Sequence, residues 1–176
     1  MRLRFLQQDH GAIARLARSL DPDTLEDAWT LYRIGEAFYQ TGAAQQALPY
    51  LRRAVDRAPH HLRFMGRLAV AHIAAGRLEE AVSLLNRLLA ANPKLGEAYT
   101  NRGFAFLLQQ RFAEAEADFL AALALNPDAE QALANLASLY YNTGRKADAL
   151  PYVQRLRALD PENEDYRMLE GLLTSR

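Results

Sequence analysis

The decapeptide TGAAQQALPY at residues 41–50 returns, with six of its ten letters unchanged, as TGRKADALPY at residues 143–152. The two copies start 102 residues apart, which is three times 34. A fixed period of roughly 20 to 50 residues is typical of proteins built from stacked copies of one small structural unit. The spacing therefore predicts an internal repeat of 34 residues.

A frame of 34 places that starts at Ala28 brings four segments into register, at residues 28–61, 62–95, 96–129 and 130–163. The first recurring places are small, with Gly35, Ala69, Gly103 and Ala137 at place 8 and Ala47, Ala81, Ala115 and Ala149 at place 20. The turn and end places are Gly42, Gly76, Gln110 and Gly144 at place 15, and Pro59, Pro93, Pro127 and Pro161 at place 32. This recurrence indicates four copies of one unit.

Each segment has the pattern of two helices joined by a tight turn. Apolar residues at places 4, 7 and 11 follow helical spacing, glycine at place 15 suits a left-handed residue after a helix end, and the proline at place 32 ends the second helix. Small side chains at places 8 and 20 let the two helix axes approach closely. We predict helix pairs near residues 24–41 and 44–57, 61–75 and 78–91, 95–109 and 112–125, and 129–142 and 146–158.

Two prolines, Pro49 and Pro151, fall inside the predicted second helices of the first and fourth segments. We expect them within about the first five residues of those helices, where few backbone N–H groups have an intrahelical partner to lose. Their energetic cost is therefore expected to be small.

The flanks of the frame predict caps. Residues 1–27 read as a degenerate N-terminal cap, because FLQQDHGAIARLARSLDPD at residues 5–23 echoes residues 106–128 with positions missing. Residues 164–176 restart the frame, with Gly171 at place 8, and are predicted to form a capping helix. The chain as a whole, residues 1–176, is predicted to be a single all-α domain.

Composition argues against several functional classes. The chain has no cysteine, and its 21 basic and 21 acidic residues cancel, so neither thiolate chemistry nor attraction to nucleic acid is expected. No apolar run approaches the roughly 20 residues of a membrane-spanning helix. The N-terminus lacks the apolar segment of a secretory signal, which favours a cytoplasmic protein without membrane insertion. Arginine outnumbers lysine 19 to 2, which favours a bacterial source.

The sequence contains no recognisable catalytic or metal-binding pattern. A P-loop, a dinucleotide-binding fingerprint, a zinc-protease motif and a nucleophile elbow are all missing. The adjacent His60 and His61 follow a proline at a turn and do not complete a coordination shell. We therefore expect a protein that is not an enzyme and needs no metal or cofactor.

The repeat pattern resembles the tetratricopeptide repeat family, whose period is 34 residues. The resemblance covers residues 28–163 and implies a right-handed αα superhelix, a solenoid of four helix-turn-helix repeats with N-terminal capping helices and a C-terminal capping helix. Three residues depart from the family pattern: Gln110 at the turn place, Arg102 at place 7 and His72 at an aromatic place. A non-glycine residue in the left-handed region costs about 1 kcal/mol or more, so Gln110 puts the tightness of the third turn in question.

The resemblance also implies that the first helices line a concave groove, into which places 2, 5, 6, 9, 12 and 13 face; we call these the groove places. Carried over onto this chain, they give a peptide-binding groove of Trp29, Tyr32, Arg33, Tyr39, Arg63, Arg67, Asn101, Phe104, Asn135 and Tyr141. Asparagine at place 6 resembles the ladder by which some relatives hold the backbone of an extended peptide, because an amide both donates and accepts. The pattern that binds chaperone tails is not met. The arginines also fit a solvated surface and the aromatic residues also fit core packing, and both alternatives stay open.

These features predict a non-enzymatic adaptor or scaffold that binds an extended peptide segment. Because the arginines fall in the first two repeats and the asparagines in the last two, we expect a groove that is basic at one end and neutral at the other. Its partner is expected to be a protein or peptide that is partly acidic. The alternative is a structural or self-associating module that uses its convex face or its capping helix and forms a weak homo-oligomer.

Overall fold

The computed structural model describes residues 9–174, and within them every regular element is helical. The helices are α1 (His10–Ala17), a 3-10 turn (Pro22–Thr24), α2 (Ala28–Gln40), α3 (Ala44–Arg57), α4 (Leu62–Ala74), α5 (Leu78–Ala91), α6 (Gly96–Leu108), α7 (Phe112–Leu125), α8 (Glu130–Asn142), α9 (Lys146–Leu159) and α10 (Glu164–Thr174). The prediction of an all-α fold is confirmed. Residues 1–8 of the predicted N-terminal cap lie outside the described residues.

The predicted start of α2 at residue 24 is wrong by four residues. Asp27 caps this helix, because its carboxylate accepts hydrogen bonds from the backbone N–H of Thr30 at 2.7 Å and from the hydroxyl of Thr30 at 2.5 Å. These hydrogen bonds hold the pKa of Asp27 below its usual value. The chain before Asp27 forms the 3-10 turn and then passes through Leu25, whose backbone is extended. A capping side chain decides the first residue of the helix here.

The chain divides into two compact units, residues 1–88 and residues 89–176. In unit 1, α1 packs on α2, α2 on α3, and α3 on α4. In unit 2, α6 packs on α7, α7 on α8, α8 on α9, and α9 on α10. Consecutive helices are therefore neighbours in each unit, as expected for stacked helical hairpins.

The two helices of a repeat approach so closely that place 8 has no room for a side chain in two of the four repeats. A Cβ atom added to Gly35 would lie 2.5 Å from Cγ of Leu51, and one added to Gly103 would lie 2.8 Å from Cε1 of Phe119. Real Cβ atoms do not come this near to other heavy atoms. Ala47 and Ala115, at place 20, are completely buried at the same junctions. The predicted role of the small residues is confirmed.

The turn between the two helices is left-handed in all four repeats. Gly42, Gly76 and Gly144 have φ angles of 78°, 74° and 78°, and Gln110 has a φ angle of 60°. The third turn is thus built like the others, although its residue carries a side chain. Gln110 is the one residue other than glycine with a positive φ among residues 9–174.

The expectation for the two helix prolines needs correction. Pro49 is the sixth residue of α3, and Pro151 is the sixth residue of α9. An N–H group at that position would reach the carbonyl four residues earlier, so each proline does remove one helical hydrogen bond. Both prolines are exposed, which places the affected backbone at the solvent side of the helix.

A tyrosine of the first repeat binds the end of the N-terminal helix α1. The hydroxyl of Tyr50, on α3, donates to the carbonyl oxygens of Ala17 at 2.9 Å and Leu20 at 2.5 Å, at the end of α1. Burial of this hydroxyl, followed by the charge of Asp21, raises the pKa of Tyr50. Tyr50 belongs to the repeated decapeptide, so in this copy the repeated motif also docks α1 on the first repeat.

His72 replaces the aromatic residue of place 11, where the other repeats carry Phe38, Phe106 and Tyr140. Its side chain is buried, and Nδ1 has no hydrogen-bond partner within the described part of the chain. Burial lowers the pKa of His72, although the charge of Glu80 opposes the shift and those of Arg52 and Arg77 add to it.

We predict that replacing Gln110 with glycine stabilises the protein by up to about 1 kcal/mol. Glycine removes the strain of a left-handed residue with a Cβ, and the entropy lost by glycine on folding offsets part of the gain. Denaturant titration measures the change. Gln109→Gly is the matched control, because the φ angle of Gln109 is an ordinary −81° and glycine there is expected to destabilise. A neutral or lower stability of Gln110→Gly would contradict the prediction.

We also predict that acid weakens the fold through His72. The folded state disfavours the protonated imidazole, so stability is complete above the unfolded pKa of about 6.5 and falls as the pH is lowered through that value. Urea unfolding at pH 7.5 and at pH 5 is expected to show a smaller loss for His72→Phe than for the wild type. His60→Phe, at an exposed position, is the control and keeps the wild-type loss. Equal losses for wild type and His72→Phe would rule out this role.

Candidate functional site

Trp29 presents an exposed indole ring at the start of α2. Its side chain is 47% exposed, although its ring packs edge-on against Phe64, with centroids 4.9 Å apart, and against His61 at 5.0 Å. Tyr32 belongs to the same cluster and stacks on Phe64, with centroids 4.9 Å apart. Because Phe64 is buried, the cluster is anchored in the core while part of Trp29 stays exposed. The core-packing alternative thus holds for Tyr32 and for part of Trp29, and a ligand-binding role of these residues stays a prediction.

Arg67 is engaged within unit 1. Its guanidinium forms an ion pair with Glu36 and lies 5.2 Å from the ring centroid of Tyr39. Gln40 donates a second hydrogen bond to Glu36 at 2.7 Å. The charge of Arg67 is therefore already compensated inside the chain.

Arg33 and Arg63 differ from Arg67. Arg33 is half-buried on α2 and Arg63 is exposed on α4. Neither forms an ion pair with another residue of the described chain, so both guanidinium groups keep their donors for other molecules. Among the three groove arginines predicted for unit 1, these two carry the uncompensated charge.

In unit 2, Asn101 and Asn135 occupy place 6 on α6 and α8, two helices that pack against each other. Both side chains are half-buried. Neither amide forms a hydrogen bond to another described residue. The amide atoms of both residues reach solvent, since neither is among the buried atoms without a partner, so a ligand can replace the water bound there. These amides are the polar groups of unit 2 that are best placed to accept a ligand.

Exposed aromatic rings lie on the same two helices. Phe104 is exposed on α6, and Tyr141 is exposed on α8, with the ammonium of Lys146 5.9 Å from its ring centroid. At the groove places, unit 2 therefore combines apolar surface with side-chain amides that have no hydrogen-bond partner among the described residues. Unit 1 combines Trp29 with uncompensated arginines.

In repeat three, the half-buried Arg102, which departs from the family pattern at place 7, forms an ion pair with the buried Asp118. Two nitrogen atoms of Arg102 each donate to a different carboxylate oxygen of Asp118 at 2.7 Å, and this bidentate pairing is the main cause that raises the pKa of Arg102. Asp118 stands at place 23, where the other repeats have Tyr50, Leu84 and Tyr152. In the sequence, this ion pair could have been predicted from the two opposite charges at places 7 and 23, where the other repeats carry uncharged residues. The pair joins α6 to α7 and serves the fold.

A second polar cluster joins repeats three and four. Glu116 accepts hydrogen bonds from Arg145 at 2.8 Å and from Tyr140 at 2.7 Å, and these bonds lower the pKa of Glu116. Burial, followed by the bond to Glu116, raises the pKa of Tyr140. Arg145 also pairs with Asp148 at 2.8 Å. Each carboxylate oxygen of Glu116 thus accepts from one donor, and the two bonds connect α7 to Tyr140 on α8 and to Arg145 before α9.

Residues 9–174 contain neither a metal-binding cluster nor a membrane-spanning helix. No group of three or more His, Asp or Glu side chains there could hold a metal ion. In the same range, no helix combines the length and the apolar character needed to cross a membrane.

The chain is similar in sequence and in fold to known proteins. The family model of the tetratricopeptide repeat matches residues 38–100 and 106–173. Among curated proteins, none matches the chain. Solved structures of similar fold include MamA AMB-1, 26% identical over 88% of this chain and 91% of that one, with a TM-score of 0.71.

Two other solved structures have a similar fold. TTC0263, a thermophilic TPR protein in Thermus thermophilus, is 25% identical over 93% of this chain and 88% of that one, with a TM-score of 0.74. MamA from Desulfovibrio magneticus RS-1, 20% identical over 83% and 82%, shares the fold with a TM-score of 0.72. Since the family model covers well over half of the residues, the chain belongs to the tetratricopeptide repeat family.

Proposed function

We propose that this protein is a non-enzymatic interaction module whose first helices bind an extended segment of a partner protein. The observation that carries the proposal is the pair Asn101 and Asn135, two half-buried amides at the same place of adjacent first helices, neither bonded to another described residue. Membership of the family supports an interaction role in general. The mode of binding is our inference.

The chemistry of the amide suits a peptide backbone. One side-chain amide can donate to a peptide carbonyl and accept from a peptide N–H at the same time. Adjacent packed helices are roughly 9 Å apart, and an extended chain advances about 3.3 Å per residue. The two asparagines can therefore hold backbone groups about three residues apart, with Phe104 and Tyr141 beside them to contact the side chains.

Unit 1 offers a different surface, which suits acidic side chains. Arg33 and Arg63 supply uncompensated guanidinium groups for charge-assisted hydrogen bonds to Asp or Glu. Trp29, packed edge-on against Tyr32, supplies an exposed ring for an apolar neighbour. Arg67 and Tyr39 contribute less in this proposal, because Arg67 would have to leave Glu36 before it could bind a ligand.

The prediction for unit 2 is that loss of the amides weakens binding at least tenfold. Peptides selected from a random dodecapeptide library are titrated against the wild type and against Asn101→Ala with Asn135→Ala, in which up to four hydrogen bonds of about 1 kcal/mol each are lost. Asn86→Ala, on a second helix, makes the same chemical change elsewhere and is expected to leave affinity unchanged. N-methylation of the peptide at the bound amides should reproduce the loss. Affinity within twofold of wild type in the double variant would disprove backbone binding by these residues.

The charge contribution of unit 1 is tested with the same peptides. Arg33→Glu with Arg63→Glu is expected to weaken acidic peptides and to reduce the dependence of their affinity on salt. Reversal of Arg67 is avoided, because it would place two carboxylates opposite each other at Glu36. Arg57→Glu with Arg87→Glu, at exposed positions of α3 and α5, changes the net charge equally and is the control. If both double reversals have the same effect, only the net charge matters and the arginine site is refuted.

A further inference from the structure

Unit 2 exposes an apolar row along its first helices, and two of its residues, Phe104 and Tyr141, are predicted groove residues. We define the row as Phe104 on α6, Tyr141 on α8, and Met168 and Leu172 on α10. Met168 is 64% exposed and Leu172 is 48% exposed. Leu172 occupies place 9, the place of Phe104 two repeats earlier, and Met168 occupies place 5. All four residues thus stand at groove places.

Contacts within unit 2 connect the three helices of the row. Helix α6 packs against α8. The hydroxyl of Tyr166, on α10, donates to the carboxylate of Glu130 in the first turn of α8 at 2.6 Å, and this bond is the main cause that raises the pKa of Tyr166 to about 12. Glu170 binds Arg157 and accepts from Gln154 on α9. Tyr166 and Glu170 thus hold α10 in place. Met168 and Leu172 lie on the same helix and stay exposed.

The charged residues at the groove places of α6, α8 and α10 are acidic, namely Glu97 and Asp165, both at place 2. Five arginines of unit 2 are consumed in internal ion pairs, namely Arg102, Arg111, Arg145, Arg155 and Arg157. Glu97 on α6, and Glu164 and Asp165 on α10, form no ion pair within residues 9–174. Arg167 on α10 and Lys146, whose ammonium lies 5.9 Å from the ring centroid of Tyr141, form no ion pair within that range either. The attraction for a cationic ligand is therefore local to the carboxylates at place 2, where they also favour the helix N-termini.

We propose that the apolar row and Asp165 bind an extended partner segment that carries bulky apolar side chains and a lysine or arginine. This inference rests on the proposed function, in which the asparagines hold the backbone of the same segment. It differs from the expectation that the groove is neutral in repeats three and four, because apolar side chains favour an apolar ligand and the unpaired carboxylate of Asp165 favours a basic one.

The repeat spacing predicts the ligand pattern. From α6 to α10 there are two helix steps of roughly 9 Å, which an extended chain covers in about six residues. Side chains of an extended chain alternate between two sides, so residues i and i+6 point the same way. We therefore expect one apolar residue over Phe104, a second over Leu172, and the basic residue next to Asp165.

The test uses the full chain and a random dodecapeptide library. Peptides selected on the wild type are expected to carry two apolar residues six positions apart and a lysine or arginine. Synthetic copies should bind Met168→Ser with Leu172→Ser at least fivefold more weakly. Leu120→Ser with Leu159→Ser is the matched control, since these leucines, on the second helices α7 and α9, are 41% and 43% exposed. Asp165→Asn is expected to reduce affinity only for peptides that contain the basic residue.

Several outcomes would overturn the inference. Selected peptides without apolar residues, or affinity within twofold for the serine pair, would do so. If the asparagine double variant still weakens those peptides, the proposed function stands and this inference alone fails; if neither variant matters, or if no peptide is enriched, both fail. Light scattering identifies a different occupant: an oligomer that disappears in the serine pair, with peptide affinity unchanged, would make α10 a contact between copies of the chain.

Discussion

The close approach of two helices within each repeat is the constraint on which the remaining structure depends. At Gly35 and Gly103 the partner helix leaves no room even for a methyl group, and the large side chains Leu51 and Phe119 fill the space against the bare backbone. This contact fixes which side of each first helix faces its hairpin partner. The other side of that helix packs only in part, as where Tyr32 stacks on the buried Phe64, and its residues differ between repeats. The surfaces on which we base the proposed function are made of those varying residues.

Because each repeat contacts mainly its neighbours, an irregular residue has local consequences. Gln110 adopts the left-handed turn that its glycine counterparts adopt, and the strain stays within that turn. Arg102 brings a charge to an apolar place, and Asp118 compensates it with a bidentate pair. Such a pair contributes little over two apolar residues, whereas removal of one partner would leave a buried charge at a cost of about 3 to 5 kcal/mol. Repeat three is therefore expected to tolerate replacement of both exceptions by apolar residues better than the loss of either one alone.

Periodicity predicted the fold well because the residue pattern of each helix recurs in all four repeats. The second helices at residues 44–57, 78–91 and 112–125 were predicted with correct ends. The start of α2 was missed, since the cap formed by Asp27 occurs in one repeat only and has no counterpart to reinforce it. The candidate site was less predictable for the same reason. Groove places can be read from the frame, but the pairing of Arg67 with Glu36 depends on the side-chain conformations of two adjacent helices.

Pairing of charges inside the chain thus decides which groove residues can recognise a partner. Arg33 and Arg67 share place 6, yet a ligand carboxylate gains the full interaction only at Arg33, because at Arg67 it must compete with Glu36. In unit 2 the uncompensated group at a groove place is instead a carboxylate. Five arginines form ion pairs within the unit, whereas Asp165 forms none. A binding free energy includes the interactions given up as well as those formed. The uncompensated groups of each unit are consequently better guides to the chemistry of its ligand than the identity of the residue at any one place of the repeat.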